Sequence, residues 1–208
     1  MEVQRIAKLL QPFVELDQAQ LEKISAYLKL LLRWNSRINL TAVRDPEEMV
    51  TRHFGEAFFA ARNLVAENWN GTAIDLGSGA GFPGMPLAIY DPAAQVTLIE
   101  SQNKKAAFLN EVIRTLRLDN VNVFSGRAES FPDSAELVTM RAVEKFAKSL
   151  PLAINLVAQE GRIALMIGGS QVDEAKHLLP KVEWETEKSV PRSSARVLLV
   201  GKVPGPRT

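Results

Sequence analysis

The feature that most restricts what this chain can fold into is residues 72–84, TAIDLGSGAGFPG. Apolar, strand-like residues run directly into a cluster of glycines, and the chain then turns helical through MPLAIY. Glycines in such a turn supply positive φ and let another molecule approach the backbone closely. A phosphate-cradling P-loop ends in Gly-Lys-Ser/Thr, and this stretch holds no lysine, so nucleotide hydrolysis is not expected. A dinucleotide fingerprint is spaced G-x-G-x-x-G; here Gly81 comes one residue early and Phe82 follows it. Asp75, two residues before Gly77, puts a negative charge at the mouth of the loop. That charge suits a cationic ligand or an amino group better than a pyrophosphate.

The flanks set the loop in an alternating α/β pattern. QVTLIES, VNVFSG, ELVTMRA and GRIALMIGG read as further strands. NKKAAFLNEVIRTLRL between them reads as a helix with Ala106, Leu109, Ile113 and Leu116 on one face. FAKSLPLAINLVA reads as a helix containing Pro151, and QVDEAKHLL as a short one. KVEWETEKSV and SARVLLVGKV read as two late strands joined by a short connection, an antiparallel edge. The expected fold is α/β, Rossmann-like, with a mostly parallel seven-stranded sheet and helices on both faces. A ligand on such a sheet lies beyond the carboxyl ends of the strands, where the glycine loop stands.

Residues 1–70 read as a helical extension packed on the core, residues 71–203 as the α/β domain, and 204–208 as a flexible tail. Asp17 and Gln20 form a capping-box pattern ahead of an apolar stripe, Leu21, Ile24, Leu28, Leu31 and Leu32. RWNSRINLTAVRDPEE interrupts the pattern, and a second helix is expected over residues 47–66 after Asp45-Pro46.

The net charge of +1 excludes a whole-surface nucleic-acid footprint and leaves local patches, with candidates Arg33, Arg37, Arg44, Arg52, Arg141, Lys145 and Lys148. The chain has no cysteine, so disulfides and thiolate-held metals are excluded, and no metal site is expected. Charges scattered through MEVQRIAKLLQPFVELD leave no secretory signal, and no apolar run reaches membrane length. A cytoplasmic monomer is expected.

The loop pattern D-x-G-x-G-x-G after a first strand resembles the class I S-adenosylmethionine-dependent methyltransferases. The flanks narrow the resemblance to the RsmG (GidB) family, which methylates a guanine N7 in small-subunit ribosomal RNA. The shared motifs are Trp34-Asn35, Asn39-Leu40-Thr41, Arg52-His53, GSGAGFPGMPLAI, LIESQNKKAAFL, GRAESF and VTMRAVEKF, in that order over residues 20–170. Two positions depart from the family pattern: Glu56 stands where an aspartate is common, and Ile167 where a lysine is common.

The resemblance implies S-adenosyl-L-methionine as cofactor, with Asp75, Gly77, Gly79, Phe82, Glu100, Ala128, Glu129 and Arg141 around it. Glu100, closing the second strand, would take the ribose hydroxyls. Arg52, His53 and Lys145 would face the ribosomal RNA or ribosomal subunit. Arg141 is the candidate catalytic residue, donating to guanine O6 or a phosphate or organising the pocket; its structural alternative is a salt bridge to Glu129 or Glu144. Trp34 is read as packing, Asn39 as ordering its turn. The aromatic-proline signature of amino-group methyltransferases is absent after the fourth strand, which argues against exocyclic-amine chemistry. Two competing readings remain: an NAD-dependent oxidoreductase, and a degenerate methyltransferase fold that only binds RNA, which Ile167 favours.

Overall fold

The computed structural model describes residues 1–66, 69–141 and 146–205. Five strands are parallel: β1 (Thr72–Leu76), β2 (Gln95–Glu100), β3 (Val121–Ser125), β4 (Ala135–Arg141) and β5 (Val157–Gly168). β6 (Glu183–Trp184) and β7 (Lys188–Ser189) are two-residue rungs, and β8 (Arg196–Lys202) lies antiparallel to β5. The sheet order is β3-β2-β1-β4-β5-β8-β6, with β7 also on β8. The order reverses at β1, so the crevice at the carboxyl ends of β1 and β4 is the switch point.

The sheet therefore has eight strands where seven are expected. The segment read as one strand, KVEWETEKSV, is broken in two. Trp184 pairs with Gly201 and Lys188 with Leu198, so the stretch between them is one residue longer than its partner. An extra residue opposite β8 is a bulge, and the exposed Glu185, Thr186 and Glu187 form it.

Two cores sit on the two faces. Alternation along β1 sends Ile74 and Leu76 to one, with α7 (Phe146–Asn155) and α8 (Val172–Leu178), and Ala73 to the other. The second face carries α5 (Gly84–Tyr90), α6 (Asn103–Leu116) and the whole N-terminal helical segment. Ile6, Leu28, Phe54 and Phe58 share one apolar cluster with Val96, Leu98 and Leu137 of the sheet.

That segment comprises α1 (Val3–Leu10), α2 (Gln18–Asn35), α3 (Pro46–Met49) and α4 (Glu56–Leu64). The Asp17–Gln20 capping box closes both ways, and Asp45 caps α3 with Pro46 in its first turn. The helix expected over 47–66 is continuous but not uniform. Between α3 and α4, Val50–Gly55 is π-helical. Arg141 reaches in from β4 and donates to the carbonyls of Arg52 and His53 there, at 2.8 and 3.3 Å. A side chain taking carbonyls from the ladder is an established cause of local unwinding.

Candidate active site

The loop after β1 is pinned to β2. The amides of Gly77 and Ser78 both donate to the carbonyl of Ile99, at 3.0 and 3.1 Å. Gly79 has φ +56°, a left-handed conformation that an L side chain enters at a cost, although a Cβ there would meet only Gly77 O at 3.8 Å. Gly81, at φ +88°, has no room either: a Cβ would collide with the Tyr27 hydroxyl and lie 2.8 Å from Met85 Cγ. Tyr27 donates to the carbonyl of Ala80 and stacks on Phe82 with centroids 5.5 Å apart. Nothing in the loop motif announces Tyr27. Its signal is a tyrosine on the apolar stripe of α2, where a buried hydroxyl needs a partner.

A cavity of about 460 Å³ opens at these strand ends. Its walls include Gly77, Gly79, Phe82, Glu100, His53 and Arg141, all singled out in the sequence. Leu40, Thr41 and Lys105 also border it. Glu100 is held at both oxygens: Oε2 accepts from the Gly79 amide at 2.9 Å and Oε1 from the Gln102 amide at 2.8 Å.

Asp75 is not part of this wall. Its carboxylate is buried behind the loop, where Oδ1 accepts from the Thr139 hydroxyl at 2.9 Å and Oδ2 from the Gly84 amide at 3.1 Å. Burial pushes its pKa up to about 6 despite those bonds. Ala128 and Glu129 border a separate cavity beside α7 with Phe131 and Leu156. Arg52 is exposed and paired with Glu48 at 2.7 Å. Lys145 and Glu144 lie outside the described residues. So do Glu67 and Asn68 and the last three residues of the tail.

Arg141 is the hub of a buried charge cluster. Its side chain is 7% exposed and lies 3.3 Å from Glu56 Oε2, whose own side chain is 5% exposed. Arg196 reaches the same oxygen at 2.7 Å. The acidic partner of Arg141 is thus Glu56, not Glu129. Burial draws the guanidinium down to about 10, which leaves it charged at neutral pH. Its Cζ lies 5.9 Å from the Phe82 ring centre.

His53 joins this cluster to the N-terminal segment. Nδ1 faces Arg141 Nη2 at 3.0 Å, Nε2 faces Thr41 Oγ1 at 2.6 Å, and the ring stacks on Phe82 at 5.3 Å. Burial first, then the charges of Arg141, Arg52 and Arg196, pulls the imidazole down to about 3. The ring is neutral at physiological pH.

Asn35 fixes the segment above: its Oδ1 accepts from the amides of Leu40 and Thr41, both at 3.0 Å. Asn39, read as the turn-ordering residue, instead accepts from Arg44 at 3.1 Å. Trp34 packs edge-on against Phe108 and donates to Glu111.

A switch-point crevice, a glycine loop after β1 and an acid closing β2 make a nucleoside-cofactor site of the kind that dinucleotide-binding folds share with class I S-adenosylmethionine-dependent methyltransferases, and the comparisons decide for the latter. Among solved structures, M. jannaschii TYW2 in complex with AdoMet superposes with TM-score 0.61 at 18% identity, over 80% of this chain and 78% of that one, a likeness of fold. The model of the family described as "GidB: rRNA small subunit methyltransferase G" matches residues 20–197. The protein named Ribosomal RNA small subunit methyltransferase G from Xylella fastidiosa (strain M23) is 43% identical over 176 residues, 84% of this chain and 80% of that one. Its namesake from Halorhodospira halophila is 40% identical over 169 residues, covering 81% and 78%.

The chain belongs to the rRNA small subunit methyltransferase G family. It is an S-adenosylmethionine-dependent methyltransferase, and the oxidoreductase reading is left without support. The residues present fit the cofactor: the cavity lies within the range of small-molecule sites. Each Glu100 oxygen, after its one amide bond, keeps a lone pair for a hydroxyl.

Proposed function

We propose that this protein methylates N7 of a guanine in small-subunit ribosomal RNA, acting as a cytoplasmic monomer. One observation carries the choice of atom: the carboxylates, the imidazole and the guanidinium bordering or backing the cavity are engaged within the protein. Arg141 is bound to Glu56 and His53, the neutral His53 ring has contacts at both nitrogens, and Asp75 is bonded behind the loop. Glu100 is pinned by two amides. Such a site is poorly equipped to strip a proton from an amine or hydroxyl. Guanine N7 carries an exposed lone pair and no proton, so its alkylation requires placement rather than a base.

Glu100 would hold the ribose of the cofactor, and Gly77, Gly79 and Phe82 would form the surface against which it lies. The bound cofactor supplies a methyl group already activated as a sulfonium. Asp75 acts one layer back, tying β1 to the start of α5. Arg141 organises the pocket through His53, and Ala128 and Glu129, although they line a separate cavity, would border the adenine of the cofactor from the β3 side. The exposed Arg52, Arg37 and Arg44 would meet phosphates, as would Lys145, which lies outside the described residues, and this makes binding salt-dependent. N7 is hidden in the deep major groove of an A-form duplex, so the target is expected in a loop or flipped from its stack.

The test is transfer of a labelled methyl group from S-adenosylmethionine to small-subunit ribosomal RNA, followed by strand scission specific for 7-methylguanine. Label at a guanine that cleaves supports the proposal. Label that resists cleavage, or no label on RNA or subunits, overturns it.

A further inference from the structure

The hydrogen-bond directions in the Arg141–His53–Thr41 chain leave one group with a single possible role. A guanidinium only donates, so His53 Nδ1, 3.0 Å from Arg141 Nη2, must be an acceptor. A neutral imidazole with a bare Nδ1 carries its proton on Nε2. Nε2–H therefore donates to Thr41 Oγ1 at 2.6 Å. The amide of Val43 donates to the same oxygen at 3.1 Å. Both lone pairs of that hydroxyl are then taken, and its own O–H has no acceptor among the described residues. Thr41 borders the cavity, so a ligand there meets a hydroxyl that can only donate.

We propose that Thr41 donates this hydrogen bond to O6 of the target guanine and thereby selects guanine over adenine. The inference rests on the functional reading above. On the major-groove edge of guanine, O6 and N7 are adjacent acceptors, whereas adenine places an amino donor beside N7. A donor bound at O6 sets N7 alongside it and leaves the N7 lone pair free. Adenine in the same pose would set its amino hydrogens against the Thr41 hydroxyl hydrogen, and the hydroxyl cannot reverse while His53 and Val43 occupy its lone pairs. Arg141 is less suited to this task, because its Nη2 already serves Arg52 O, His53 Nδ1 and Glu56. The segment bearing Thr41 is tied through His53 to the end of β4, whereas Glu100 ends β2, on the other side of β1. That spacing separates the substrate-facing group from the cofactor ribose.

The experiment is a cycle between protein and RNA. Wild type and Thr41→Val are assayed for kcat/KM on RNA carrying guanine or 2-aminopurine at the target; the latter keeps N7 and lacks O6. Each single change is expected to cost about tenfold, the worth of one neutral hydrogen bond left unmade. The double change is expected to cost little more than either alone. Thr41→Ser retains activity within a few-fold, and calorimetry shows S-adenosylmethionine affinity unchanged in both variants. Independent losses that multiply to about a hundredfold mean that Thr41 only shapes the segment, and overturn the proposal. A fall in cofactor affinity matching the loss in kcat/KM reassigns the donor to the cofactor and also overturns it. Wild-type enzyme that places no methyl on guanine N7 sinks the functional reading first and this assignment with it.

Discussion

Arg141 Nη2 stands 3.0 Å from His53 Nδ1, and this contact fixes which nitrogen of the imidazole carries the proton. In the unfolded chain His53 takes up a second proton as pH falls through its ordinary 6.5; in the fold it does so only near 3. The stability it contributes is therefore complete above 6.5 and declines as pH drops from 6.5 towards 3. Long-range nitrogen–proton correlation spectra are expected to show His53 neutral, protonated on Nε2, at pH 5. A charged ring at that pH would break the donor chain through Thr41. His177, the only other histidine, is exposed on α8 and can be removed by substitution to assign the signal.

Among the described residues, Glu56 is the only carboxylate between two arginines in the buried cluster. Glu56→Ala leaves Arg141 and Arg196 without their shared partner, and a broken buried pair costs about 3–5 kcal/mol. Urea denaturation is expected to report a loss on that scale for Glu56→Ala. A change below about 1 kcal/mol would mean that water enters the cluster.

Asp75 has the opposite pH signature to His53. Its carboxyl is held up to about 6 in the fold, from an ordinary value of 3.8. Its contribution is present below 3.8 and is lost as pH rises through 6. The stability of the wild type relative to Asp75→Asn is therefore expected to be greater at pH 4 than at pH 7. Denaturation curves at several pH values test this, and a gap that does not vary with pH counts against a raised carboxyl.

Glu100→Ala is expected to weaken S-adenosylmethionine binding by about 1–3 kcal/mol, the scale of a hydrogen bond to a charged group. The same substitution frees the Gly79 and Gln102 amides, so the loop should also exchange its amide hydrogens faster. Calorimetry and hydrogen exchange read the two effects separately. Unchanged affinity would place the ribose elsewhere.

Gly79→Ala and Gly81→Ala separate strain from collision. The first meets only an ordinary van der Waals contact with Gly77 O and costs about 1–2 kcal/mol for its left-handed backbone. The second adds a clash with Tyr27 and Met85, and thermal unfolding is expected to rank it as clearly the more damaging. Equal melting temperatures would mean that Tyr27 yields freely.

Local chemistry was legible wherever one residue type had one job. The capping box at Asp17, the cap at Asp45, the glycine loop and the acid at Glu100 all stand where their spacing puts them. What escaped were partnerships between distant segments. Glu56 looked like a tolerated departure until β4 and β8 brought Arg141 and Arg196 onto it. Tyr27 is not among the residues singled out in the sequence; its role comes from the loop that folds beneath it. Ile167 looked like a missing cation; it is buried in the core against α7 and α8, paired with Val197 on β8. The split of β6 from β7 rests on a single surplus residue opposite β8, which no periodicity within the segment reveals.

The N-terminal helices and the sheet bury their apolar residues in one common cluster. The N-terminal segment, proposed above to face RNA, and the domain proposed to hold the cofactor are therefore not interchangeable cassettes. A chimera carrying the first 66 residues of a relative would have to match Phe54 and Phe58 against Leu98 and Leu137 before it could recognise anything. If that segment chooses the target, target choice is inherited together with the floor of the catalytic domain, and changing one means repacking the other.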